Sequence, residues 1–587
     1  MYLAPVEEIA FTLRHVAGLG PALSEGSFGD LSDDLVDAVL HEAGRFAGEE
    51  IAPLARIGDE KGAVLTDGAV VTPPGWADLY RRWREGGWNA LAAPEAYGGQ
   101  GLPVMLAAAT MEMWNSGSMA FALGPMLSLG AVEALDKHAS GELKATYLEK
   151  LVSGEWMGTM NLTEPQAGSD VGALRTRAER AGDGTYRIFG QKIFITFGEH
   201  DFTGNIVHLV LARLPDAPAG TRGISLFLVP KFLVNADGTL GPRNDVFCAS
   251  LEHKLGIHAS PTCTMIYGDG YSGEPGAIGW LVGEENRGLA CMFTMMNNAR
   301  LMVGIQGVAV AEAAFQKALA YANERRQGRA EGHDGAAPIV HHPDVQRMLL
   351  TMKALTQAAR GICYSCAHAL DMAHISEGRM AEHWHDRAGL LTPVSKAFST
   401  DIGVDVASLG VQVHGGMGFI EETGAASLLR DVRIAPIYEG TNGIQAIDLV
   451  TRKLPLAEGE HVHAYIAELR GEAERLHATK LPGLGQSADR IDEALDDLER
   501  ATRHLQSALS EGRMDEALAG AGPYLRLFGL AAGGAFLARA ALAERDPSRV
   551  ALCRFYAENI VPQASSLQQA VTEGAESLAA AGKALVA

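Results

Sequence analysis

The sequence predicts an α+β fold in which a block of strands lies between blocks of helices. Three observations support this fold class. Residues 31–153 carry apolar side chains at helical spacing, and residues 156–271 form short runs rich in β-branched and aromatic side chains. Helical spacing returns at residue 289. Because helices and strands occupy separate blocks, an alternating, doubly wound parallel sheet is not expected.

The first helical block contains no segment that reads as a bilayer span. Its apolar spacing is clearest in residues 31–55, and the cluster APEAYGGQGLP at 93–103 interrupts it with turn residues. The longest charge-free stretch, 113–132, includes Asn115, Pro125 and several glycines. We therefore predict buried helices with a turn at this position.

The remaining blocks complete a four-domain organisation. The strand block contains the runs YRIFGQKIFITFG, IVHLVLARL and GISLFLVPKFLV, each bounded by Gly, Asp or Pro. A composition shift near residue 458 begins a last segment, which reads as three or four Ala- and Leu-rich helices. We predict an N-terminal helical domain (1–155), a β domain (156–275), a C-terminal helical bundle (276–455) and an extra helical extension (456–587).

The charge balance argues against nucleic-acid and membrane partners. The 587 residues include 49 Lys and Arg against 71 Asp and Glu, a formal net charge of −22, and no long basic run concentrates the cations. Phosphate backbones and anionic lipid surfaces would therefore be repelled.

Cysteine usage and the first residues predict a cytoplasmic location. Six cysteines in so long a chain are too sparse for a disulfide framework, which favours a reducing compartment. The opening residues place Glu7 and Glu8 ahead of any basic residue, so they match neither a secretory nor a transit pattern.

Common nucleotide, hydrolase and metal motifs are missing from the sequence. We find no GxGxxG that opens a helix, no P-loop, no GxSxG and no HExxH. Cys363 and Cys366 have metal-ligand spacing but lie in an apolar helical run without a second pair, which favours core cysteines. His341 and His342 lack nearby Asp, Glu or Cys partners. No metal site is therefore expected.

Three distant segments together resemble one enzyme family. They are MNLTEPQAGSDVGALRTRAER with GQKIFITFG (160–198), VQVHGGMGFIEETG (411–424) and RDVRIAPIYEGTNGIQ (430–445). In this order they resemble the acyl-CoA dehydrogenases, flavoenzymes that oxidise a CoA thioester to its trans-2-enoyl form. The resemblance covers about residues 35–450. It implies the family's fold, with a β-barrel or sheet domain between two helical domains, and FAD as cofactor.

The resemblance implies that Glu439 is the catalytic base. Removing hydrogen from the α and β carbons of a thioester requires a base at Cα and an organic hydride acceptor at Cβ. The apolar residues 435–438 before Glu439 should raise the pKa of its carboxyl towards neutral pH. The resemblance also implies that the backbone N–H of Glu439 and a flavin hydroxyl bind the thioester oxygen, as in an oxyanion hole.

The same resemblance implies the cofactor contacts. Phe194 stands where relatives often carry Trp, and it keeps an aromatic surface for the flavin. Arg325 matches an arginine that reaches the FAD of a partner subunit, so at least a homodimer, or a dimer of dimers, is implied. Gln327 and Gly443 depart from the family pattern near the adenine end. The full set of implied FAD contacts is Leu162, Thr163, Gly168, Ser169, Phe194, Thr196, Arg325, Gln412, Gly415, Gly416 and Thr441.

Substrate contacts are implied in the same way. Asn297 and Arg300 occupy the helix that holds the CoA portion in the family, and the acyl chain ends near Tyr438. The full set of implied substrate contacts is Ser169, Asn297, Arg300, Tyr438 and Gly440.

The C-terminal extension and an insertion after Arg325 resemble the long bacterial members of the family. Some of these act on 3-(methylthio)propanoyl-CoA, so the resemblance implies oxidation of this thioether to 3-(methylthio)acryloyl-CoA, with electrons passed to electron-transferring flavoprotein. A short or medium straight-chain acyl-CoA has nearly the same shape, and the sequence leaves both substrates open. More remote alternatives are an acyl-CoA oxidase and a DNA-associated flavoprotein of the same fold.

Overall fold

The computed structural model describes residues 2–479 and 481–585, without the side chain of residue 583. Its described part divides into two units. The sheet unit comprises Arg45–Ala107 and Gly117–Ala299, and the helical unit comprises the described residues of Met1–Gly44, Ala108–Ser116 and Arg300–Ala587. Apart from one short hairpin in the first helical block, strands and helices occupy separate blocks, which confirms the predicted α+β class.

An eight-stranded sheet forms the core of the sheet unit. Strand β3 pairs with β6 in parallel, whereas the other neighbours along the main path are antiparallel. The order is β10-β11-β5-β12-β7-β6-β3, with β4 beside β5 and β6. The strands are β3 Trp156–Asn161, β4 Arg177–Arg180, β5 Tyr186–Thr196, β6 Asn205–Arg213, β7 Ile224–Pro230, β10 Val246–Leu251, β11 Thr262–Tyr267 and β12 Ala277–Val282.

Two short hairpins accompany this sheet. One joins β1 (Val64–Thr66) to β2 (Ala69–Val71), and the other joins β8 (Phe232–Val234) to β9 (Leu240–Arg243). The first hairpin lies in a block that the sequence analysis treated as helical. Its turn residue Asp67 has φ 51° and is followed by a glycine at φ 78°. An Asp-Gly pair between β-branched runs is a strong hairpin signal, which the helical spacing around it obscured.

Strand β12 also corrects the predicted pattern. It pairs with β5 and β7 in the middle of the sheet, although the strand block was expected to end near residue 271 and the β domain at residue 275. The run AIGWLV is short and carries Gly279, which weakens a strand signal read from sequence alone.

The N-terminal and central helices follow the predicted helical blocks. Helix α6 breaks at Ser118, whose φ of −163° and ψ of 106° are extended, and it also contains Pro125. The helices are α1 Val6–Phe11, α2 Leu19–Ser24, α3 Asp33–Phe46, α4 Ala52–Lys61, α5 Trp76–Glu85, α6 Val104–His138, α7 Gly141–Val152, α8 Gly288–Glu324, α9 Pro343–Ile375, α10 Gly378–His414, α11 Ala425–Val432 and α12 Asn442–Asp448.

The extension contains five helices in its described part, rather than the predicted three or four. Residues 560–562 separate the last two helices, because Pro562 cannot continue the hydrogen-bond pattern of the preceding helix. The helices are α13 Glu460–Ala478, α14 Ser487–Ser510, α15 Met514–Glu544, α16 Pro547–Asn559 and α17 Gln563–Ala581.

Helix α15 joins the extension to the rest of the helical unit. It packs against α9, α10 and α12. The approach is close, since a Cβ atom at Gly529 would lie 2.2 Å from the ring of Phe398 in α10. Helices α6 and α15 are long and apolar enough to cross a membrane, but 83% of each apolar window is buried, as in the core helices of folded proteins.

Candidate active site

Glu439 lies in a strained loop of the helical unit. Its φ is +55°, in the left-handed region that costs an ordinary residue about 1–2 kcal/mol, and Gly440 follows at +83°. The N–H of Asn442 donates to the carbonyl of Pro436 at 2.9 Å and closes the loop. The N–H of Glu439 has no acceptor among the residues that the structure describes. Strained backbone with an available donor is typical of a functional site.

The Glu439 carboxyl has a perturbed pKa. Burial raises the pKa, while the positive charges of Arg300 and Lys396 act in the opposite direction. A base that is desolvated and balanced by nearby cations can hold a proton near neutral pH. The direction agrees with the expectation from the apolar residues that precede Glu439.

Two glutamines hold the residues on either side of this base. The hydroxyl of Tyr438 donates to Oε1 of Gln306, a buried residue of α8. The side chain of Gln445 donates to the carbonyl of Glu439 at 3.4 Å. The left-handed backbone at Gly440 favours glycine, and a Cβ atom there would lie 2.7 Å from Nε2 of Gln445, so a larger residue would displace this amide. Residues 438–440 are therefore positioned from α8 and α12.

Asn442 and Lys396 were not among the predicted site residues. Asn442 is the first residue of α12, and the preceding Thr441 caps this helix by accepting from the N–H of Ile444 at 3.2 Å. The ammonium of Lys396, a buried residue of α10, donates to Oδ1 of Asn442 at 2.9 Å. The signal that could have identified Lys396 is a single charged residue in the apolar run LLTPVSKAF, because lysine is almost never fully buried unless it has a partner.

Arg300 lies beside the base rather than on an open helix surface. A Cβ atom at Gly440 would be 3.9 Å from an Arg300 guanidinium nitrogen. Burial lowers the pKa of Arg300, whereas the negative charges of Asp448 and Glu439 act the other way. Asn297 precedes Arg300 by three residues in α8, is exposed and belongs to the sheet unit. Their predicted CoA contacts stay predictions.

Three of the implied FAD contacts lie at the end of α10. Gln412, Gly415 and Gly416 are exposed, and a Cβ atom at either glycine would meet nothing within 4 Å. The N–H of Gly415 donates to the carbonyl of Gln412, and the φ of 59° at Gly415 is the feature that favours glycine there.

Arg325 lies near the C-terminal end of α10. It follows α8 directly, one turn beyond Tyr321, whose ring stacks on that of His414 at 4.5 Å between centroids. Arg325 is exposed, and its guanidinium donates to Oε1 of Gln327 at 3.4 Å.

In the sheet unit, a loop lies along strand β5. The buried ammonium of Lys192 in β5 donates to the carbonyl of Leu162 at 2.9 Å, and the N–H of Ile193 donates to the carbonyl of Thr163 at 2.9 Å. Lys192 also forms a buried ion pair with Glu164 at 2.8 Å. Sequence reasoning missed this pair, which holds the loop against the strand.

Strand β5 presents an unusual aromatic residue beside this loop. Phe194 has φ 60° and its side chain is 58% exposed. Thr196 is half-buried, and its carbonyl accepts from the Thr159 hydroxyl at 2.7 Å. Gly168 and Ser169, in the loop after residue 163, are exposed. The sheet unit thus brings residues 162–163 next to β5, while the predicted roles of all these residues stay predictions.

The candidate metal ligands of the sequence analysis have other partners in the described part of the chain. Cys363 and Cys366 are buried in α9 and contact Ser399 and Thr392 of α10. His342 hydrogen-bonds the carbonyl of Gln327 at 2.7 Å. No group of three potential metal ligands occurs in the described part of the chain.

Comparison with known families covers nearly the whole chain. The chain matches the N-terminal domain of acyl-CoA dehydrogenases over residues 34–155, the middle domain over 159–269 and the C-terminal domain over 286–454. Residues 460–581 match a family described as acetyl-CoA dehydrogenase C-terminal like.

Individual relatives agree with these matches. The chain is 45% identical to 3-methylmercaptopropionyl-CoA dehydrogenase of Ruegeria pomeroyi, covering 98% of this chain and 99% of the relative. It is 35% identical to a butyryl-CoA dehydrogenase of Syntrophomonas wolfei, covering 84% and 82%. An acyl-CoA dehydrogenase from Bacillus anthracis, solved with FAD, has the same fold, with a TM-score of 0.75, 22% identity and coverage of 93% and 89%. The chain therefore belongs to the acyl-CoA dehydrogenase family, whose members are FAD-dependent oxidoreductases of acyl-CoA thioesters.

Proposed function

We propose that this enzyme oxidises a short acyl-CoA at its α and β carbons and that Glu439 is the base that removes the α proton. The observation that carries the proposal is the state of Glu439. Its carboxyl is desolvated beside two cations, and its backbone N–H has no acceptor among the described residues. Such a carboxylate can take up a proton, and such an N–H can donate to a thioester oxygen.

The chain's own residues account for the proton transfer. The α proton of a thioester is weakly acidic, so its removal requires that the negative charge developing on the thioester oxygen be stabilised. The N–H of Glu439 supplies one such donor. Glu439 therefore supplies both this N–H and the carboxyl. Its backbone is in the left-handed region, and the side chain of Gln445 holds its carbonyl. The proton then resides on the Glu439 carboxyl, whose burial favours the neutral form.

The described residues fit an FAD molecule. The Phe194 ring offers an exposed aromatic surface in the sheet unit, and the open backbone at Gly168, Gly415 and Gly416 would admit close approach of a bulky group. In the sheet unit, Leu162, Thr163, Ser169 and Thr196 would contact the flavin portion of an FAD. In the helical unit, the residues that would contact an FAD are Arg325, Gln412, Gly415, Gly416 and Thr441. Bound FAD supplies the acceptor for the hydride that leaves the β carbon.

For the substrate we favour 3-(methylthio)propanoyl-CoA, giving 3-(methylthio)acryloyl-CoA, with electron-transferring flavoprotein as acceptor. The support is the 45% identity over 98% of the chain to an enzyme named for this thioester. Butanoyl-CoA is the second candidate, favoured by the 35% identical butyryl-CoA dehydrogenase. We further propose a cytoplasmic homodimer or dimer of dimers.

The test is anaerobic reduction of the FAD-loaded enzyme by butanoyl-, hexanoyl-, octanoyl- and 3-(methylthio)propanoyl-CoA, followed as loss of flavin absorbance. We expect the fastest loss with the thioether. A preference for the longer straight chains would identify a fatty-acid oxidation enzyme instead. Rapid reoxidation by air with stoichiometric peroxide would identify an oxidase.

A further inference from the structure

We propose that Lys396 is a positioning residue for Glu439, because its ammonium fixes Asn442 in the segment that carries the base and brings a positive charge close to the Glu439 carboxyl. The inference rests on the proposed function and deepens it. Lys396 is completely buried within α10, between the buried residues Ser395 and Ala397. A buried ammonium is costly unless it has partners, so its retention here requires an explanation.

The geometry connects Lys396 to the base through one side chain. Asn442 follows Glu439 by three residues, and its Oδ1 accepts from Lys396 Nζ at 2.9 Å. Its Nδ2 donates to the carbonyl of Ala397 at 3.1 Å and to Oδ1 of Asp401 at 2.7 Å. Lys396 and Asp401 therefore bind opposite ends of one amide, which fixes its orientation. The start of α12 is fastened to α10 immediately after the base.

Several charged groups surround Lys396 and Asp401, the two charged residues that bind this amide. Lys396 is influenced by Glu439, by Asp401 of its own helix and by Arg300 of α8. Asp401 is influenced in turn by Asp405 of α10 and by Arg526, which the extension contributes from α15. Arg526 and Asp405 also form an ion pair with each other, at 3.0 Å, so their effects on Asp401 partly cancel. Lys396 is thus the cation of α10 that acts on the base.

Burial lowers the pKa of Lys396 to about 7, although Glu439 and Asp401 act in the opposite direction. In the range where Lys396 is protonated, its charge favours the ionised form of Glu439. Removing this charge should therefore raise the pKa at which Glu439 becomes a competent base. A purely structural lysine would not affect that pKa.

The test compares K396M, K396Q and K396R with the wild type and with K353M, which removes an exposed lysine of α9. The readout is kcat/KM across the accessible pH range, with flavin content and unfolding temperature measured on the same samples. The pH dependence of kcat/KM reports ionisation in the free enzyme. We expect the acid limb of K396M and K396Q to move up by about one pH unit, and that of K396R to remain near the wild type.

A second readout isolates the base from the hydride transfer. Acetyl-CoA has α hydrogens but no β carbon, so exchange of its methyl hydrogens in D₂O, followed by NMR, requires removal of the α proton but no hydride transfer. Its pD profile should shift in K396M and K396Q as the kcat/KM profile does, while K353M superimposes on the wild type.

Two results would overturn the proposal. In the first, the wild type oxidises acyl-CoAs, and the acid limb of the kcat/KM profile of K396M is the same as that of the wild type. This result would leave the proposed function intact. The other is failure of both K396M and K396Q to fold while K353M folds, because it would assign Lys396 to the stability of the bundle. A wild type inactive with every acyl-CoA would instead contradict the proposed function.

Discussion

Lys192 and Glu164 form an ion pair of 2.8 Å in which both side chains are almost completely buried, at 0% and 3% exposure. Each partner serves a second purpose. Lys192 binds the carbonyl of Leu162, and Glu164 accepts from the backbone N–H groups of Arg175 and Thr176 at 2.6 and 3.0 Å. The pair therefore fixes the loop that carries the proposed flavin contacts.

Replacing Lys192 by methionine should destabilise the sheet unit. The substitution leaves the buried Glu164 carboxylate without its cation, which typically costs about 3–5 kcal/mol. Denaturant unfolding measures the loss. The matched control is K150M, because Lys150 pairs with Glu155 at 2.7 Å with both side chains accessible, and such pairs contribute about 0–1 kcal/mol. Equal losses of unfolding free energy in the two variants would show that burial of the Lys192 pair does not contribute to stability.

Glu164 should make stability depend on pH in the acid range. Lys192 and backbone donors lower the pKa of Glu164 from 4.5 to about 2, against the opposing effect of burial. A depressed pKa contributes stability that is present above pH 4.5 and is lost as the pH falls towards 2. The difference in unfolding free energy between wild type and E164Q should shrink over this interval. A difference that stays constant with pH would refute this role.

An added methyl group at Gly529, where α15 packs against α10, should destabilise the protein. A Cβ atom at Gly529 would lie 2.2 Å from the Phe398 ring, so G529A forces the helices to shift and should cost about 1–3 kcal/mol. Thermal unfolding measures the change. The control is G471A in α13, where a Cβ atom would meet nothing within 4 Å and the better helix former should be neutral or stabilising by up to about 1 kcal/mol. A G529A variant as stable as G471A would contradict the close packing of α15 on α10.

The fold was predictable where the signal is local and repeated. Helical spacing and β-branched runs identified the helical and strand blocks and their order. Short elements were lost, because β1, β2 and β12 have three to six residues and the turn at Asp67 lies inside a helical block. The extension was expected to form three or four helices, and its described part forms five.

The candidate site was predictable only in part. The motif around Glu439 is contiguous, so resemblance identified it directly. Its supporting residues are distant in sequence. Lys396 precedes Glu439 by 43 positions, and Gln306 precedes Glu439 by 133 positions. Which buried polar residue meets which loop depends on helix packing, and periodicity does not encode that. A lone lysine in an apolar run was the one sequence signal for Lys396.

The most direct test of the account is the turnover of E439Q with its best acyl-CoA substrate, beside E573Q, which changes an exposed glutamate of α17. Both variants should fold and retain FAD. We expect E573Q to match the wild type and E439Q to lose nearly all turnover. An E439Q variant that keeps more than about a tenth of the wild-type rate, a barrier change below about 1.4 kcal/mol, would mean that another group removes the α proton.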